Sequence, residues 1–345
     1  MAQHQPIVEE LKSILTNNPW MRPLLAQSIK DAKQPGIETL NQYFDYVDSL
    51  VTWAPTERDL YHRIVQFYWL IDQETGRELQ RKSELFRKWL VDFADDWGAY
   101  LNTTESAAHI DTFLDAPDFH IDDYYAGPSG WLTFNQFFAR SVRPGKRPID
   151  GLCDDSVIVS PADSKFVGHW PISDDSTITV KNITHNVKKL LHDSPYADAF
   201  EGGTFMHAFL DVNDYHRYHV PVAGEVKDVR NIMGEVYLDV YQDASGELHA
   251  RDGTGYQFRQ ARGLIVQDSP IGLVATLPIG MAQVSSVNLT PEVGAPLSKG
   301  EEFGYFLFGG SDIIIMFQAG RADITAQPGV HHVVGQRIGT GKAGG

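Results

Sequence analysis

The sequence predicts an α+β protein in which an N-terminal helical domain precedes an antiparallel β-domain. Up to about residue 125 the apolar residues recur at helical spacing, whereas short runs with a period of two follow from about residue 126. A turn-rich segment, YYAGPSG at Tyr124 to Gly130, separates the two patterns. We therefore expect a helical domain over 1–125 and a β-domain over 126–345.

Amphipathic helices account for most of the first domain. Residues 40–51, LNQYFDYVDSLV, carry apolar side chains three or four positions apart. Thr56, followed three positions later by Asp59, predicts the N-cap of the next helix. Residues 86–101 carry a wide aromatic stripe, for which core packing is a commoner explanation than a ligand site.

Short alternating strands separated by turn residues predict the second domain. The segments are SVIVS, STITV, EVYLDV, GLIVQ and GLVATL. Near the C-terminus, VGAPLSKGEEFGYFLF predicts two strands joined by a bend at Lys299-Gly300, as in lipoyl-type barrel-sandwich domains. We therefore expect a β-sandwich or barrel-sandwich core, with the final GTGKAGG as a loose tail.

Composition excludes several classes of partner. There are 45 acidic and 29 basic residues, and the formal charge of −16 disfavours nucleic acid and anionic lipid surfaces. A single cysteine, Cys153, and the absence of an N-terminal leader pattern predict a cytoplasmic protein. The uncharged stretch from Ser269 to Pro291 contains prolines and amides, so two buried strands explain it better than a membrane anchor.

The segment FGGSD carries a serine directly after two glycines. A serine can attack the carbonyl carbon of the preceding residue only where the backbone bends, and Gly310 before Ser311 permits such a bend. The reaction needs a base and a group that orients the base, for which His219 and Asp163 are candidates. His216 and His219 would point to opposite faces of a strand, which disfavours a metal clamp.

Five segments, in this order, resemble the phosphatidylserine decarboxylase family of pyruvoyl-dependent enzymes. They are FNQFFARSVRPGKRPID, SPADS, DYHRYHVPVAGEV, GMAQVSSV and FGGSD. The resemblance extends from Phe134 to the strand Ile313 to Phe317, which is nearly the whole second domain. It implies an enzyme that cleaves its own chain to form its prosthetic group.

The resemblance places the cleavage between Gly310 and Ser311. It implies a β-chain of residues 1–310 and an α-chain of residues 311–345 that begins with a pyruvoyl group formed from Ser311. The flanking strands are expected to hold both new chain ends in one sheet. A pyruvoyl carbonyl would form a Schiff base with a substrate amine and accept electrons during decarboxylation, so no metal and no diffusible cofactor is implied.

Roles for individual residues also follow from the resemblance. Asp163, His219 and Ser311 match the self-cleavage triad, and His216 matches the histidine assigned to substrate chemistry. Two positions depart from the family pattern. Asp312 stands where a threonine usually follows the serine, and Ser164 stands where a glycine commonly follows the aspartate.

The substrate prediction is a free aromatic L-amino acid, with tryptophan first. The GGS form of the cleavage site and the helical N-terminal region resemble the soluble branch of the family that includes fungal L-tryptophan decarboxylase. Phe205, His207 and Phe209 are candidates to line the substrate pocket, although alternating Phe residues on a strand are more often core.

Two alternatives stay open at the level of sequence. One is decarboxylation of phosphatidylserine, and the other is an unprocessed, non-catalytic binding module. The sequence does not decide between a monomer and a homo-oligomer.

Overall fold

The computed structural model describes residues 4–180, 183–192, 194–250, 259–281, 286–308 and 310–343. The predicted α+β class is confirmed, because an N-terminal helical region is followed by antiparallel sheets. The described residues contain no helix long and apolar enough to cross a membrane.

The chain divides into two compact units, each assembled from separate stretches of sequence. The helical unit comprises 1–116, 131–137 and 235–253. The β-unit comprises 117–130, 138–234 and 254–345. Two segments from within the predicted β-domain, 131–137 and 235–253, thus belong to the helical unit, and the domain boundary near residue 126 stays a prediction.

Helices of nine residues or more form the frame of the helical unit. They are α1 (Pro6–Asn17), α2 (Met21–Asp31), α3 (Leu40–Val51), α4 (Glu57–Ile71), α5 (Glu74–Lys82) and α6 (Glu84–Tyr100). Shorter helices in the described residues are α7 (Asp111–Leu114), α8 (Phe134–Phe138) and α9 (Val187–Leu190), of which α9 belongs to the β-unit.

The N-cap and the aromatic stripe predicted for the helical unit are both present. Thr56 Oγ1 accepts a hydrogen bond from the backbone N of Asp59 at 3.3 Å, which caps α4. On α6, the ring of Trp89 stacks on those of Phe86 and Phe93, with centroids 5.7 and 5.6 Å apart. Trp89 is fully buried, so the aromatic stripe is core.

Every strand pair among the described residues is antiparallel. The first ten strands are β1 (Tyr124–Tyr125), β2 (Ser141–Val142), β3 (Val157–Val159), β4 (Ser164–Pro171), β5 (Thr177–Val180), β6 (Ile183–Asn186), β7 (Thr204–Leu210), β8 (Arg217–His219), β9 (Gly224–Ile232) and β10 (Val240–Gln242). The others are β11 (Leu248–Ala250), β12 (Arg262–Ser269), β13 (Gly272–Met281), β14 (Val287–Leu289), β15 (Pro296–Leu297), β16 (Glu302–Phe306), β17 (Gly310–Phe317), β18 (Ala322–Ile324), β19 (His331–His332) and β20 (Arg337–Gly341).

An eight-stranded sheet organises the β-unit, in the order β15-β9-β12-β13-β17-β7-β4-β19. Strand β17 lies between β13 and β7, and its residues 313–317 are fully buried. Both faces of this strand are covered, which explains the unbroken apolar run IIIMF in place of an alternating pattern. One face packs into a core cluster that includes Phe205, Leu277 and Ile314.

The two strands beside the GGSD segment belong to different sheets. Strand β16 pairs with β14 and β8 in a three-stranded sheet, whereas β17 is in the eight-stranded sheet. The expectation that one sheet holds both new chain ends is therefore wrong, because the chain crosses between sheets after Phe306. Gly310, where the bend before Ser311 is expected, already belongs to β17, whereas Gly309 lies outside the described residues.

Three other strand predictions need comment. EVYLDV is wrong as a strand, since regular pairing begins only at Val240, where β10 joins β11 inside the helical unit. The tail is not entirely loose, because residues 339–341 belong to β20 and pair with β18 and β3. Part of GMAQVSSV, residues 282–285, lies outside the described residues.

Candidate active site

Ser311 occupies the second position of β17 and is completely buried. It pairs with Gly280 on β13 and with Leu210 on β7. Its Oγ has no hydrogen-bond partner within the described part of the chain. A buried hydroxyl without a partner is costly and uncommon, so its presence directly after Gly310 calls for a functional explanation.

His216 lies one residue before β8 and is also completely buried. Its Nδ1 donates a hydrogen bond to the carbonyl oxygen of Asp214 at 2.9 Å, whereas its Nε2 is buried without a partner among the described residues. Burial lowers the pKa of His216 well below its usual value, and the positive charge of Arg140 lowers it further. The ring is therefore neutral, with an unprotonated Nε2 able to accept a proton.

Aromatic rings surround His216. Phe138 stacks on the imidazole at a centroid distance of 3.9 Å, and Phe306 meets it edge-on at 6.4 Å. Phe308 packs against Phe138 at 5.5 Å and lies two residues before Gly310. The backbone N of Phe306 also donates to the carbonyl oxygen of His216 at 2.9 Å. Through these contacts His216 packs against the residues that come shortly before the proposed cleavage point.

His219, at the end of β8, is held by two hydrogen bonds. Its Nδ1 donates to the carbonyl oxygen of Gly300 at 2.8 Å, and the hydroxyl of Tyr215 donates to its Nε2 at 3.0 Å. Burial lowers the pKa of His219, although the Gly300 carbonyl opposes this effect. His219 is thus a neutral imidazole with the tautomer that a general base requires.

Asp163 is paired with an arginine. The Nε of Arg147 lies 3.0 Å from each carboxylate oxygen, and its Nη2 donates to Oδ2 at 2.5 Å. The backbone N of Val334 donates to Oδ1 at 2.8 Å. No hydrogen bond joins Asp163 to His219 in the described residues of the uncut chain.

Of the three predicted triad members, His219 and Asp163 lie in segments that are joined by a backbone hydrogen bond. The backbone N of His219 donates to the carbonyl oxygen of Pro161 at 2.7 Å, which brings the histidine strand beside the SPADS segment. Neither His219 nor His216 has a hydrogen bond to Ser311 Oγ. The Asp163, His219 and Ser311 roles stay predictions.

Two arginines of the site carry no role in the sequence analysis. Arg140, which is 1% exposed, donates to the carbonyl oxygens of Asn213 and Asp214 at 2.6 and 3.0 Å and so holds the loop before His216. Arg147 pairs with Asp163 as described. Both lie in FNQFFARSVRPGKRPID, where the position of Arg140 shortly after aromatic residues is a signal that could have revealed it, whereas Arg147 has no such signal.

The three pocket candidates lie on one face of β7. Phe205 packs in the core cluster, His207 is buried, and Phe209 is half-buried. In the strand register Phe209 pairs with Asp312. The three candidate side chains therefore lie on the same face of the sheet as the side chain of Asp312, whereas the Ser311 side chain lies on the opposite face. Their role in a substrate pocket stays a prediction.

Comparison with known proteins identifies the family. Residues 134–340 match the family model described as phosphatidylserine decarboxylase. The chain is 32% identical over 235 residues to a phosphatidylserine decarboxylase proenzyme of Fusobacterium nucleatum, covering 67% of this chain and 75% of that protein. It is 30% identical over 290 residues to decarboxylase iboD of Amanita muscaria, covering 73% and 82% respectively.

A longer relative shares only its corresponding part. Phosphatidylserine decarboxylase proenzyme 3 of Schizosaccharomyces pombe is 33% identical over 220 residues, which are 62% of this chain but 22% of that protein.

The antiparallel β-unit, the unpaired serine after glycine and the two neutral histidines agree with a pyruvoyl-dependent carboxy-lyase. The chain belongs to the phosphatidylserine decarboxylase family. Such proenzymes use a covalently bound pyruvoyl group formed from a serine. Position 311 fits this group, since its hydroxyl is buried, unpaired and preceded by Gly310.

Proposed function

We propose that Ser311 cleaves the chain and becomes the pyruvoyl group, and that the mature enzyme decarboxylates a free aromatic L-amino acid, with tryptophan first. The observation that carries the first part is the buried, unpaired Oγ of Ser311 directly after Gly310. The substrate proposal is supported by the aromatic surroundings of His216 and by the acidic charge of the chain.

The proposed cleavage balances with water as its only co-reactant. Ser311 Oγ attacks the carbonyl carbon of Gly310, its proton passes to the amide nitrogen, and the C–N bond breaks to leave an ester. Loss of the α-proton of residue 311 then expels Gly310 as a carboxylate and leaves a dehydroalanine. Tautomerisation, addition of water and loss of ammonia give the pyruvoyl group.

His219 is the proposed base for the first proton transfer. Its Nε2 accepts a hydrogen bond from Tyr215 in the uncut chain, so that bond must be exchanged for one from Ser311 Oγ. Asp163 stabilises the resulting imidazolium by its negative charge, although its direct hydrogen bonds go to Arg147 and Val334.

The pyruvoyl group supplies an electron-accepting carbonyl for a substrate that carries an amine. The neutral Nε2 of His216 is the proposed site for exchanging a proton with the substrate. Phe138 and Phe306 exclude water from this imidazole and offer flat apolar surfaces to an aromatic side chain. His216 and Ser311 are both fully buried in the uncut chain, so we expect access for substrate only after cleavage.

Decarboxylation of phosphatidylserine is the second candidate. The Fusobacterium and Schizosaccharomyces relatives are named as phosphatidylserine decarboxylases, which favours it, whereas the Amanita relative is named only as a decarboxylase. A formal charge of −16 opposes docking on an anionic lipid surface. Carbon dioxide release from each free amino acid, with phosphatidylserine vesicles alongside, distinguishes the two. Release from the vesicles alone would overturn the amino-acid proposal.

Intact mass measurement tests the processing. We expect two chains, of residues 1–310 and 311–345, the shorter one blocked at its N-terminus and reactive towards hydroxylamine through its carbonyl. Ser311→Ala should give one uncut, inactive chain. Ser194→Ala is the matched control, because Ser194 is also buried in the β-unit but lies apart from the GGSD segment in sequence.

An uncut wild-type chain of 38.6 kDa without a reactive carbonyl would contradict the processing proposal. That result would support the binding-module alternative instead.

A further inference from the structure

Asp312 and His207 form a buried ion pair directly behind the proposed cleavage point. His207 Nε2 lies 2.7 Å from Asp312 Oδ1, and the two side chains are 5% and 0% exposed. The two residues come from neighbouring strands, β7 and β17, and are 105 positions apart in sequence. The pair therefore joins the two strands by side chains as well as by their backbone ladder.

Residues 311 and 312 face opposite sides of the sheet. The backbone of Asp312 pairs with Ile279 and Phe209, while Ser311 pairs with Gly280 and Leu210. Successive side chains on a strand alternate between faces, so the ion pair holds the strand from the side opposite to Ser311 Oγ. The pair does not contact the reacting hydroxyl, and any effect on the reaction acts through the backbone.

Cleavage would remove one of the two covalent attachments that hold residue 311 in place. In the uncut chain residue 311 is tethered from both directions, but after cleavage it is the first residue of a chain, and chain ends fray. The pyruvoyl group would then be attached through the backbone nitrogen of Asp312. Its orientation would depend on how firmly residue 312 is held.

The apolar sequence of β17 does not by itself fix the register in which this strand pairs with its neighbours. A slip of two residues keeps every side chain on its original face, and in one direction it places Ile315, Met316 and Phe317 where Ile313, Ile314 and Ile315 lie, so these positions stay apolar. The same slip would separate Asp312 from His207, and breaking the contact between a buried carboxylate and its imidazole partner is strongly unfavourable. The ion pair thus distinguishes the native register from its nearest alternative.

We propose that His207 and Asp312 are positioning residues whose ion pair keeps the new chain end in register and so orients the pyruvoyl group. This inference rests on the proposed cleavage at Ser311. It assigns a role to the residue at which the chain departs from the usual Gly-Ser-Thr pattern.

Hydrogen exchange of the β17 amides provides a readout that does not depend on activity. In the uncut Ser311→Ala background, adding Asp312→Leu should change exchange at residues 312–314 by less than about 3-fold. In the cut enzyme the same substitution should accelerate it by about 10-fold or more. We expect kcat to fall by about 30- to 100-fold with KM within a few-fold, because a small displacement of the reacting group is costly.

Two further variants separate positioning from general destabilisation. Asp312→Asn can still accept a hydrogen bond from His207 and should keep kcat within about 5-fold of wild type. The double variant His207→Leu/Asp312→Leu leaves no unpaired buried charge, so it tests the proposal even if single variants fold poorly. The double variant should lose as much kcat as either single variant, because each of these variants removes the same interaction between residues 207 and 312.

Asp228→Asn is the control, because Asp228 is a buried carboxylate on β9 of the same sheet. It should leave exchange in β17 unchanged. The proposal is overturned if the cut leucine variants, single or double, match wild type in both β17 exchange and kcat. A wild-type chain that stays uncut would instead defeat the proposed function, so the two failures are distinguishable.

Discussion

The helical unit and the β-unit differ in what they bury. In the described part of the helical unit, Asp72 is the one buried side chain that is a carboxylate, an imidazole or a basic group. The β-unit buries many more such groups: Arg140, Asp163, His207, His216, His219, Asp228, Arg262, Lys299 and Asp312. The helical interior is dominated by stacked rings such as Phe67 with Phe93.

The buried residues of the two units therefore have different roles, chemical in the β-unit and stabilising in the helical unit. Buried ionisable groups are costly unless paired, and a fold tolerates a concentration of them where chemistry requires it. Stacked aromatic rings bring hydrophobic stabilisation and no reactive atom. Substitutions in the β-unit should therefore remove function before stability, and substitutions in the helical core should do the reverse.

The largest expected effect is on catalysis in the β-unit. His216→Ala should allow the chain to be cut but lower kcat by about 10²- to 10⁴-fold, because it removes the unpaired Nε2 proposed to exchange a proton with substrate. Cleavage is measured by intact mass and kcat by carbon dioxide release. A variant that is cut and works normally would remove the role given to His216.

A substitution in the helical core should act on stability instead. Trp89→Ala deletes a fully buried ring and the hydrogen bond that its Nε1 donates to the Ile7 carbonyl, which should cost about 3–5 kcal/mol of unfolding free energy. Leu85→Ala, on the same helix but 51% exposed, should cost less than about 0.5 kcal/mol. Denaturant titration gives both values, and equal losses for the two variants would break the comparison.

Asp72 provides a further test of the comparison, because the ionisation of this buried carboxyl should make the free energy of unfolding depend on pH. Burial raises the pKa of Asp72 to about 7, against the hydrogen bond from Gln80, which lowers it. A raised carboxyl pKa means that stability is greatest below the unfolded-state pKa and is lost as pH rises towards 7. Asp72→Asn keeps an acceptor for Gln80 but cannot ionise.

The stability advantage of Asp72→Asn over wild type should therefore grow by about 2–3 kcal/mol between pH 5 and pH 8. Urea unfolding at the two pH values measures it. Asp111→Asn, at an exposed position, should stay within about 0.5 kcal/mol of wild type at both. An advantage that is constant or shrinks with pH would contradict the assignment.

Local patterns in the sequence predicted local structure well. The periodicity of residues 40–51 matches α3, and Thr56 caps α4, because both depend on residues within one or two helical turns. EVYLDV has the alternation of a strand but pairs regularly only from Val240, since pairing depends on a distant partner. The assignment of β16 and β17 to separate sheets likewise depends on long-range contacts that no short pattern encodes.

The candidate active site also shows that short sequence patterns do not predict long-range contacts. Ser311, His216 and His219 are candidates from the sequence because each lies in a short segment with recognisable neighbours, and their roles stay predictions. The side-chain partners of Asp163 and Asp312 were not predicted, because they come from distant parts of the chain. Arg147 lies 16 positions from Asp163, and His207 and Asp312 are 105 apart.

The strands after Ser311 are shared between two sheets. Strands β17 and β19 belong to the eight-stranded sheet, whereas β18 and β20 form a three-stranded sheet with β3. Cleavage before residue 311 would turn these contacts from intramolecular to intermolecular, so regaining the fold would become a bimolecular event that depends on concentration. The uncut precursor would then be the form that folds readily, and the cut enzyme a product that persists because its interlaced strands separate slowly.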